Sequence, residues 1–187
     1  YQDTWGLKCN GYGIKVVSYP GVFAHGRLDD GTALLLRVLS TMKLQGSVLD
    51  FACGAGQIGA CIAARNQAAC VTLLDTNALA LQASMDTLKA NQLNGSVLAS
   101  DGLSEIIGSF DVVVSNPPIH AGIKTDNRLG MRLLQSLKEH IRPDGQLILV
   151  ANIHLPYEKW LSKQFKTLNE LATNNNYKVI MAKNDLR

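Results

Sequence analysis

The segment SVLDFACGAGQIGACIAARN, residues 47–66, combines a short apolar run, a glycine-rich turn and a helix pattern built from small residues. Gly54, Gly56 and Gly59 are spaced G-x-G-x-x-G, which lets a ligand approach the backbone closely just ahead of a helix N-terminus. Tight packing of a strand against a helix would require the same glycines without any ligand. The segment therefore predicts a strand, a turn and a helix, and leaves the function of the turn open.

Strand and helix patterns alternate along the rest of the chain. Two short strands are expected within residues 13–26, around Pro20 and Gly21, as part of an N-terminal β-hairpin extension over residues 1–27. Because parallel strands need crossover helices, the alternation over residues 28–187 predicts a Rossmann-like, doubly wound α/β fold with a mostly parallel sheet. Helices are predicted over residues 29–42, 77–92, 125–141 (ended by Arg142 to Gly145) and 157–165, strands over residues 70–75, 95–101, 109–116, 145–152 and 177–184, and residues 166–174 are unassigned.

Bulk composition limits the class of protein without identifying it. The 187 residues are 47% hydrophobic with a formal net charge of +3, which is typical of a globular domain and permits a nucleic-acid partner without requiring one. The four cysteines show no C-x-x-C pair or Cys/His ligand spacing, so we expect reduced thiols and no metal. No apolar run reaches the roughly 20 residues that span a bilayer, and no leader pattern opens the chain. We therefore expect a soluble, cytoplasmic monomer without a membrane partner, and the first residue, Tyr1, suggests a piece of a longer protein.

Polar residues stand at the ends of four predicted strands. In a doubly wound sheet ligands bind beyond the carboxyl ends of the strands, so these side chains are expected to converge on one rim. They are Asp50, Asp75, Asp101 and the segment Asn116-Pro117-Pro118.

The three acids distinguish between two possible nucleotide ligands. Asp50 would repel the pyrophosphate of a dinucleotide but suits a ligand with an ammonium group. Asp75, 21 residues after Gly54, can accept hydrogen bonds from two ribose hydroxyls, and Asp101 can accept one from an adenine amino group. This order favours S-adenosylmethionine over NAD. The predicted cofactor-binding residues are Phe23, Thr32, Asp50, Cys53, Gly54, Ala55, Gly56, Asp75, Thr76, Asp101, Gly102 and Asn116.

The segment VVVSNPPIHAG, residues 112–122, is an apolar strand pattern that stops at Asn116. An exocyclic amino nitrogen is a poor nucleophile because its lone pair is delocalised. The Asn116 side-chain oxygen and the Pro117 carbonyl can accept its two N–H bonds, which aims the lone pair at a methyl donor. Pro118 stiffens the loop. The alternative is that Asn-Pro-Pro only terminates a strand, and the preceding FDVVVS and DFACGAG patterns favour the chemical interpretation.

The motifs VLDFACGAG, LLD, ASD and SNPPI, in this order over about residues 46–152, resemble those of class I S-adenosylmethionine-dependent methyltransferases that act on amino nitrogens. PGVFAHGRLDDGTALLL, NPPIHAG and LVANIHLPY are similar to the bacterial guanine-N2 methyltransferase C family of small-subunit (16S) ribosomal RNA. The resemblance implies a seven-stranded sheet, S-adenosylmethionine as cofactor, and transfer to the N2 amino group of an unpaired or extruded guanine. It also implies that the chain is the C-terminal, catalytic one of two similar domains.

One position departs from the family pattern. Ile119 stands where the family usually has an aromatic residue that stacks on the target base, and aliphatic packing on a base is weaker than stacking. His120 supplies either a stacking face or a hydrogen bond, or is a solvated loop residue. Phe23 covers the cofactor or the base, or belongs to the core. The predicted catalytic residues are Asn116, Pro117, Pro118, Ile119 and His120.

Charge is distributed unevenly along the chain. Residues 44–111, which carry the cofactor motifs, hold two basic and six acidic residues, whereas residues 112–187 hold eleven and six. Basic residues near the acceptor side would suit an RNA backbone, although a solvated helix face has the same pattern. They are Lys124, Arg128, Arg132, Lys138 and Arg142. A ribosomal RNA or small-subunit partner is therefore predicted, with a protein-glutamine methyltransferase, another base as substrate, or a non-catalytic binding module as alternatives.

Overall fold

The computed structural model describes residues 1–118 and 127–185. Within these ranges the strands are β1 (Asp3–Cys9), β2 (Tyr12–Ser18), β3 (Gly46–Phe51), β4 (Ala69–Asp75), β5 (Ser96–Ala99), β6 (Phe110–Ser115), β7 (Ile141–Asn152), β8 (Thr167–Thr173) and β9 (Tyr177–Lys183). The helices are α1 (Asp30–Leu39), α2 (Gln57–Arg65), α3 (Ala78–Ala90), α4 (Asn127–Glu139) and α5 (Tyr157–Leu161). None of the helices described is long and apolar enough to cross a membrane.

Seven strands form one sheet in the order β5-β4-β3-β6-β7-β9-β8. The first five pair in parallel and β9 pairs antiparallel with both β7 and β8, which confirms the predicted Rossmann-like, mostly parallel sheet. Helices cover both faces, so the central strands are buried on both sides. In β6, Val114 packs into the core cluster that contains residues of α1, α2 and α3, while Val113 packs into the cluster with α4 and α5. This double burial explains the uninterrupted valine run.

The N-terminal extension differs from the prediction of two strands around Pro20 and Gly21. It is a hairpin in which β1 pairs antiparallel with β2, while Pro20 and Gly21 lie in the turn that follows β2. Asn10 and Gly11 connect the strands with φ angles of 44° and 93°. Asn-Gly is a strong signal for a tight hairpin turn, so the sequence does indicate the position of this turn.

A disulfide joins Cys9 of β1 to Cys61 of α2, with their Cα atoms 6.0 Å apart. The expectation of reduced thiols is therefore wrong for this pair, whereas Cys53 and Cys70 are free. Local spacing did not reveal the pair because 52 residues separate the two cysteines and only the packing of the hairpin on α2 brings them together.

Three boundaries in the C-terminal part also differ from the predictions. Arg142 to Gly145, expected to follow the helix as a turn, belong to β7, where the register against β6 shifts between Phe110 and Val112 and Asp144 adopts a φ of 61°. The last helix ends at Leu161 rather than near residue 165. The unassigned residues 166–174 contain β8, an edge strand that is mostly exposed. The other predicted elements after residue 28 are present.

Candidate active site

A cavity of about 380 Å³ lies at the carboxyl ends of β3, β4 and β6. Eight of the residues predicted for the site line it: Phe23, Gly54, Asp75, Thr76, Gly102, Asn116, Pro117 and Pro118. Gly21, Phe51, Ala52, Leu74, Asn77 and Ala80 also line it and had not been predicted. Most of these six residues are apolar or small. The one sequence signal for them is the apolar character of strand ends that face a cleft. Thr32, Asp50, Cys53, Ala55, Gly56 and Asp101, also predicted for the site, are not among the lining residues.

The three glycines of the motif have different roles. A Cβ atom added to Gly54 would meet no described atom within 4 Å, so this residue faces open space. At Gly59 it would lie 2.7 Å from Leu73, and at Gly56 3.1 Å from the Ser84 Cα. Gly56 and Gly59 are therefore required for packing, while Gly54 leaves room for a ligand. The packing interpretation therefore applies to Gly56 and Gly59, and the ligand interpretation stays a prediction for Gly54.

Asp75 is fixed at the end of β4 by backbone donors. Its Oδ2 accepts a hydrogen bond from the Gly54 N–H at 2.9 Å, and its Oδ1 accepts one from the Asn77 N–H at 3.0 Å. A carboxylate oxygen has more than one acceptor site, so both oxygens retain capacity toward the cavity that Asp75 lines. The arrangement suits a pair of vicinal hydroxyls.

Asp50 is fully buried behind the glycine-rich turn. Its Oδ2 accepts a 2.8 Å hydrogen bond from the Gly59 N–H, and its Oδ1 has no hydrogen-bond partner among the described residues. Burial raises the pKa of Asp50 to about 7, against the opposing effect of the Gly59 N–H and with a smaller contribution from the charge of Asp75. An ammonium group near this carboxyl would favour its ionised form.

Cys53 and Asp101 are not among the residues that line the cavity. The Cys53 thiol is buried 3.2 Å from the Ser84 hydroxyl, and burial raises its pKa well above its usual range, so it is not a nucleophile. The Asp101 side chain is exposed, and its backbone carbonyl accepts from the Ser104 hydroxyl at 3.0 Å. The neighbouring Gly102 lines the cavity in its place.

Asn116 follows β6 and connects the cavity to α1. Its Nδ2 donates to Oδ2 of Asp29 and to Oγ1 of Thr32, each at 3.0 Å. Asp29 is the N-cap of α1, and the same Oδ2 accepts from the Thr32 N–H at 2.9 Å. Pro117 is buried and Pro118 is exposed at the cavity edge. Ile119 and His120, both predicted to be catalytic, lie outside the described residues.

A second surface feature is a basic groove between α4 and the segment after α5. The groove is lined by Met131, Arg132, Gln135, Lys138, Glu139, Lys163 and Gln164. Lys138 donates to the Gln164 carbonyl and lies over the Phe165 ring, whereas Arg132 is exposed. Arg142 is paired with Asp111 at 2.8 Å. Lys124 and the side chain of Arg128 lie outside the described residues, so Arg132 is the strongest described candidate for a phosphate contact.

Potential metal ligands are not clustered in the described chain: the residues described include no group of three or more His, Cys, Asp or Glu side chains that could hold an ion. The polar side chains that line the cavity are instead the carboxylate of Asp75, the hydroxyl of Thr76 and the amides of Asn77 and Asn116. This donor set suits a polar organic ligand.

Comparison with known proteins places these features in a family. The methyltransferase small domain matches residues 13–181. Ribosomal RNA small subunit methyltransferase C of Pseudomonas aeruginosa is 44% identical over 170 residues, covering 91% of this chain and 51% of the relative. The Haemophilus influenzae protein of the same name is 43% identical over 171 residues, covering 91% and 52%. The chain thus spans about half the length of the curated relatives it matches.

Solved structures show the same similarity. The Thermus thermophilus 16S rRNA N2 G1207 methyltransferase, solved in complex with AdoMet and guanosine, has a TM-score of 0.88 and 27% identity, over 97% of this chain and 50% of that one. A methyltransferase from Pyrococcus furiosus has a TM-score of 0.69 at 17% identity, over 92% and 90%, and shares the fold.

Proposed function

The chain belongs to the methyltransferase small domain family, and from this we propose that it transfers a methyl group from S-adenosylmethionine to the exocyclic N2 amino group of a guanine in small-subunit ribosomal RNA. The observation that carries the proposal is that Asn116, Pro117 and Pro118 line the same cavity as Gly54 and Asp75. Residues suited to an amino acceptor therefore face residues suited to a nucleoside cofactor.

The cavity fits the cofactor. Open space beside Gly54 allows a ligand to approach the turn, and Asp75 offers two carboxylate oxygens to ribose hydroxyls. Phe51, Leu74 and Ala80 supply apolar surface that suits an adenine ring. When bound, S-adenosylmethionine supplies an electrophilic methyl group on a sulfonium.

Asn116 and Pro117 act on the acceptor amine. The Asn116 side-chain oxygen and the Pro117 carbonyl accept its two N–H bonds, which withdraws the nitrogen lone pair from the base and directs it toward the methyl carbon. The nitrogen forms the new bond to carbon, the electrons of the broken carbon–sulfur bond return to sulfur, and a proton leaves the nitrogen for solvent. This requires positioning rather than a strong base, and the described residues around the cavity fit that requirement.

The RNA part of the proposal rests on the names of the relatives and on the basic groove at α4. Positive side chains on α4 would contact the phosphate backbone while the target base enters the cavity. A reaction on ribosomal RNA takes place in the cytoplasm, and we expect the protein to act there as a monomer.

The proposal is tested by incubating the purified protein with labelled S-adenosylmethionine and small ribosomal subunits, or naked 16S rRNA, from cells that lack it. We expect label in RNA, recovered as N2-methylguanosine after nuclease digestion and mass spectrometry. Label in protein glutamine, or in another base, would contradict the assignment of substrate. Failure to bind the cofactor in calorimetry would contradict the assignment of the reaction.

A further inference from the structure

The amide of Asn116 donates both of its hydrogens to α1. Its Nδ2 lies 3.0 Å from Oδ2 of Asp29 and 3.0 Å from Oγ1 of Thr32, although 87 and 84 residues separate these partners along the chain. An asparagine amide has two N–H donors on one side and one carbonyl acceptor on the other. With both donors engaged at α1, the acceptor Oδ1 is directed to the opposite side, and Asn116 lines the cavity.

We propose that Asp29 and Thr32 are positioning residues that hold the Asn116 amide with its oxygen toward the acceptor amine. This inference rests on the proposed function and adds residues to it. An asparagine side chain can turn by half a rotation and exchange its oxygen and nitrogen at little steric cost. In the turned state a second N–H donor, instead of an acceptor, would face the amine, and transfer would lose its acceptor.

Asp29 sets the orientation because an ionised carboxylate only accepts hydrogen bonds. If the amide turned, the Asn116 oxygen would face the Asp29 carboxylate oxygen without a proton between them. The bond to an ionised acceptor is also stronger than a neutral one, and it polarises the amide so that Oδ1 becomes a better acceptor. Orientation and acceptor strength thus follow from one contact.

Both positioning residues are themselves fixed. Asp29 caps α1 through the Thr32 N–H at 2.9 Å, so its carboxylate is tied to the helix rather than to solvent. Thr32 is 5% exposed, and α1 packs into the core through Leu35. Thr32 was expected to bind the cofactor, but the geometry instead places its hydroxyl against the Asn116 amide, outside the cavity lining.

The test uses variants that keep the helix cap. Thr32→Val preserves shape and the backbone cap but removes one acceptor, and Thr32→Ser restores the hydroxyl. Asp29→Ser keeps a good N-cap residue but withdraws the carboxylate. Loss of one hydrogen bond of about 1.4 kcal/mol in the transition state corresponds to a tenfold lower rate. We expect Thr32→Val and Asp29→Ser to lower the single-turnover rate by about tenfold or more, Thr32→Ser to stay within about twofold of wild type, and the cofactor Kd to stay unchanged.

A double-mutant comparison separates positioning from a general structural effect. If Asp29 and Thr32 act through Asn116, neither Thr32→Val nor Asp29→Ser should slow transfer further in the Asn116→Ala background. Equal losses in both backgrounds would overturn the inference. So would full activity of the folded Thr32→Val and Asp29→Ser proteins.

A measurement without RNA distinguishes this inference from the proposed function. In the wild type the Asn116 side-chain NH₂ protons should exchange slowly with water in ¹⁵N-resolved spectra, and Asp29→Ser should accelerate their exchange. If that change is observed but wild type transfers no methyl group to guanine, the positioning contact stands and the proposed function fails. Rapid exchange in the wild type would overturn the contact itself.

Discussion

The backbone N–H of Gly54 donates a 2.9 Å hydrogen bond to Oδ2 of Asp75, which connects the turn after β3 to the end of β4. The same two residues line the cavity. Asp75 therefore fixes the glycine-rich turn, and we propose that it also presents its remaining acceptor sites to the ligand. A substitution there should affect ligand binding through both.

Asp75→Ala is expected to weaken S-adenosylmethionine binding by roughly 1.5 to 3 kcal/mol, the range for hydrogen bonds that involve a charged group. Isothermal titration calorimetry measures the change. Asp111→Asn is the matched control, since this carboxylate lies at the start of β6, where it accepts from the Ser47 N–H at 2.8 Å. Equal weakening by both variants, or unchanged affinity in Asp75→Ala, would contradict the assigned role.

Asp50 should make folding stability depend on pH. Its pKa is raised to about 7 in the folded protein from 3.8, so between these values the folded state holds more protons than the unfolded state. Stability therefore falls as pH rises from about 4 to about 7 and is level above that, with a total change of about 4 kcal/mol or less. Asp50→Asn removes the titrating group and should flatten this part of the profile in urea unfolding.

Asp111 provides a control with the opposite sign. The Ser47 N–H, together with the hydrogen bond from Arg142, holds the pKa of Asp111 below its usual value. Its contribution is therefore present above the unfolded pKa and is lost as pH falls through the folded pKa. Asp111→Asn should leave the decline between pH 4 and 7 in place. If Asp50→Asn also retains that decline, another group causes it.

Sequence patterns predicted the structural features that depend on residues close together in the chain. They missed the contacts between residues that are far apart in it. The β6 valine run and the strand-end position of Asp75 follow from local period and local polarity. The contact between Asn116 and Asp29 joins residues 87 apart, and no local rule predicts it. The N-terminal hairpin was predicted, but its strands were placed wrongly because Pro20 and Gly21 are also typical turn residues.

The Cys9–Cys61 disulfide should contribute to stability because it restricts the conformations of the unfolded chain. For a closed loop of 52 residues, the loss of chain entropy corresponds to about 4 kcal/mol. Replacing both cysteines by serine is expected to lower the midpoint of denaturant unfolding. Cys70→Ser, at an exposed free thiol, is the control and should have little effect. An added reductant that leaves the wild-type midpoint unchanged would show that the bond does not form in solution.

The basic groove predicts a salt-dependent contact with RNA. Arg132→Gln should weaken RNA binding and reduce the slope of log affinity against log salt by about one counterion. Lys89→Gln removes the same charge from the exposed end of α3, on the other face of the sheet, and should leave the slope unchanged. Cofactor affinity should be unaffected in both. An identical slope in wild type and Arg132→Gln would assign α4 to the solvated surface.

Substitution of Asn116 distinguishes an effect on the methyl-transfer step from an effect on RNA or cofactor binding. If its oxygen holds the amine as the nitrogen reacts, Asn116→Ala should lower the single-turnover rate on saturating RNA by roughly 10² to 10³, as for loss of a positioned transition-state hydrogen-bond partner. RNA and cofactor affinities should change little, and circular dichroism checks folding. Near wild-type transfer by the folded alanine variant would refute the mechanism.

Because the Asn116 side chain contacts Asp29, the Asn116→Asp variant is more informative than Asn116→Ala. Asn116→Asp keeps an acceptor of almost the same shape, but it places a second carboxylate about 3 Å from Asp29 Oδ2, the distance of the present hydrogen bond. Like charges this close disfavour the ionised pair, so in the single variant the new carboxylate should turn away and transfer should be about as slow as with alanine. Adding Asp29→Asn removes the repulsion and supplies an amide donor while retaining a good helix cap. The double variant should therefore recover at least about tenfold in rate over Asn116→Asp, about 1.4 kcal/mol. If Asn116 only ended the β6 strand, Asp29→Asn would bring no recovery, because strand termination does not depend on which residue carries the charge.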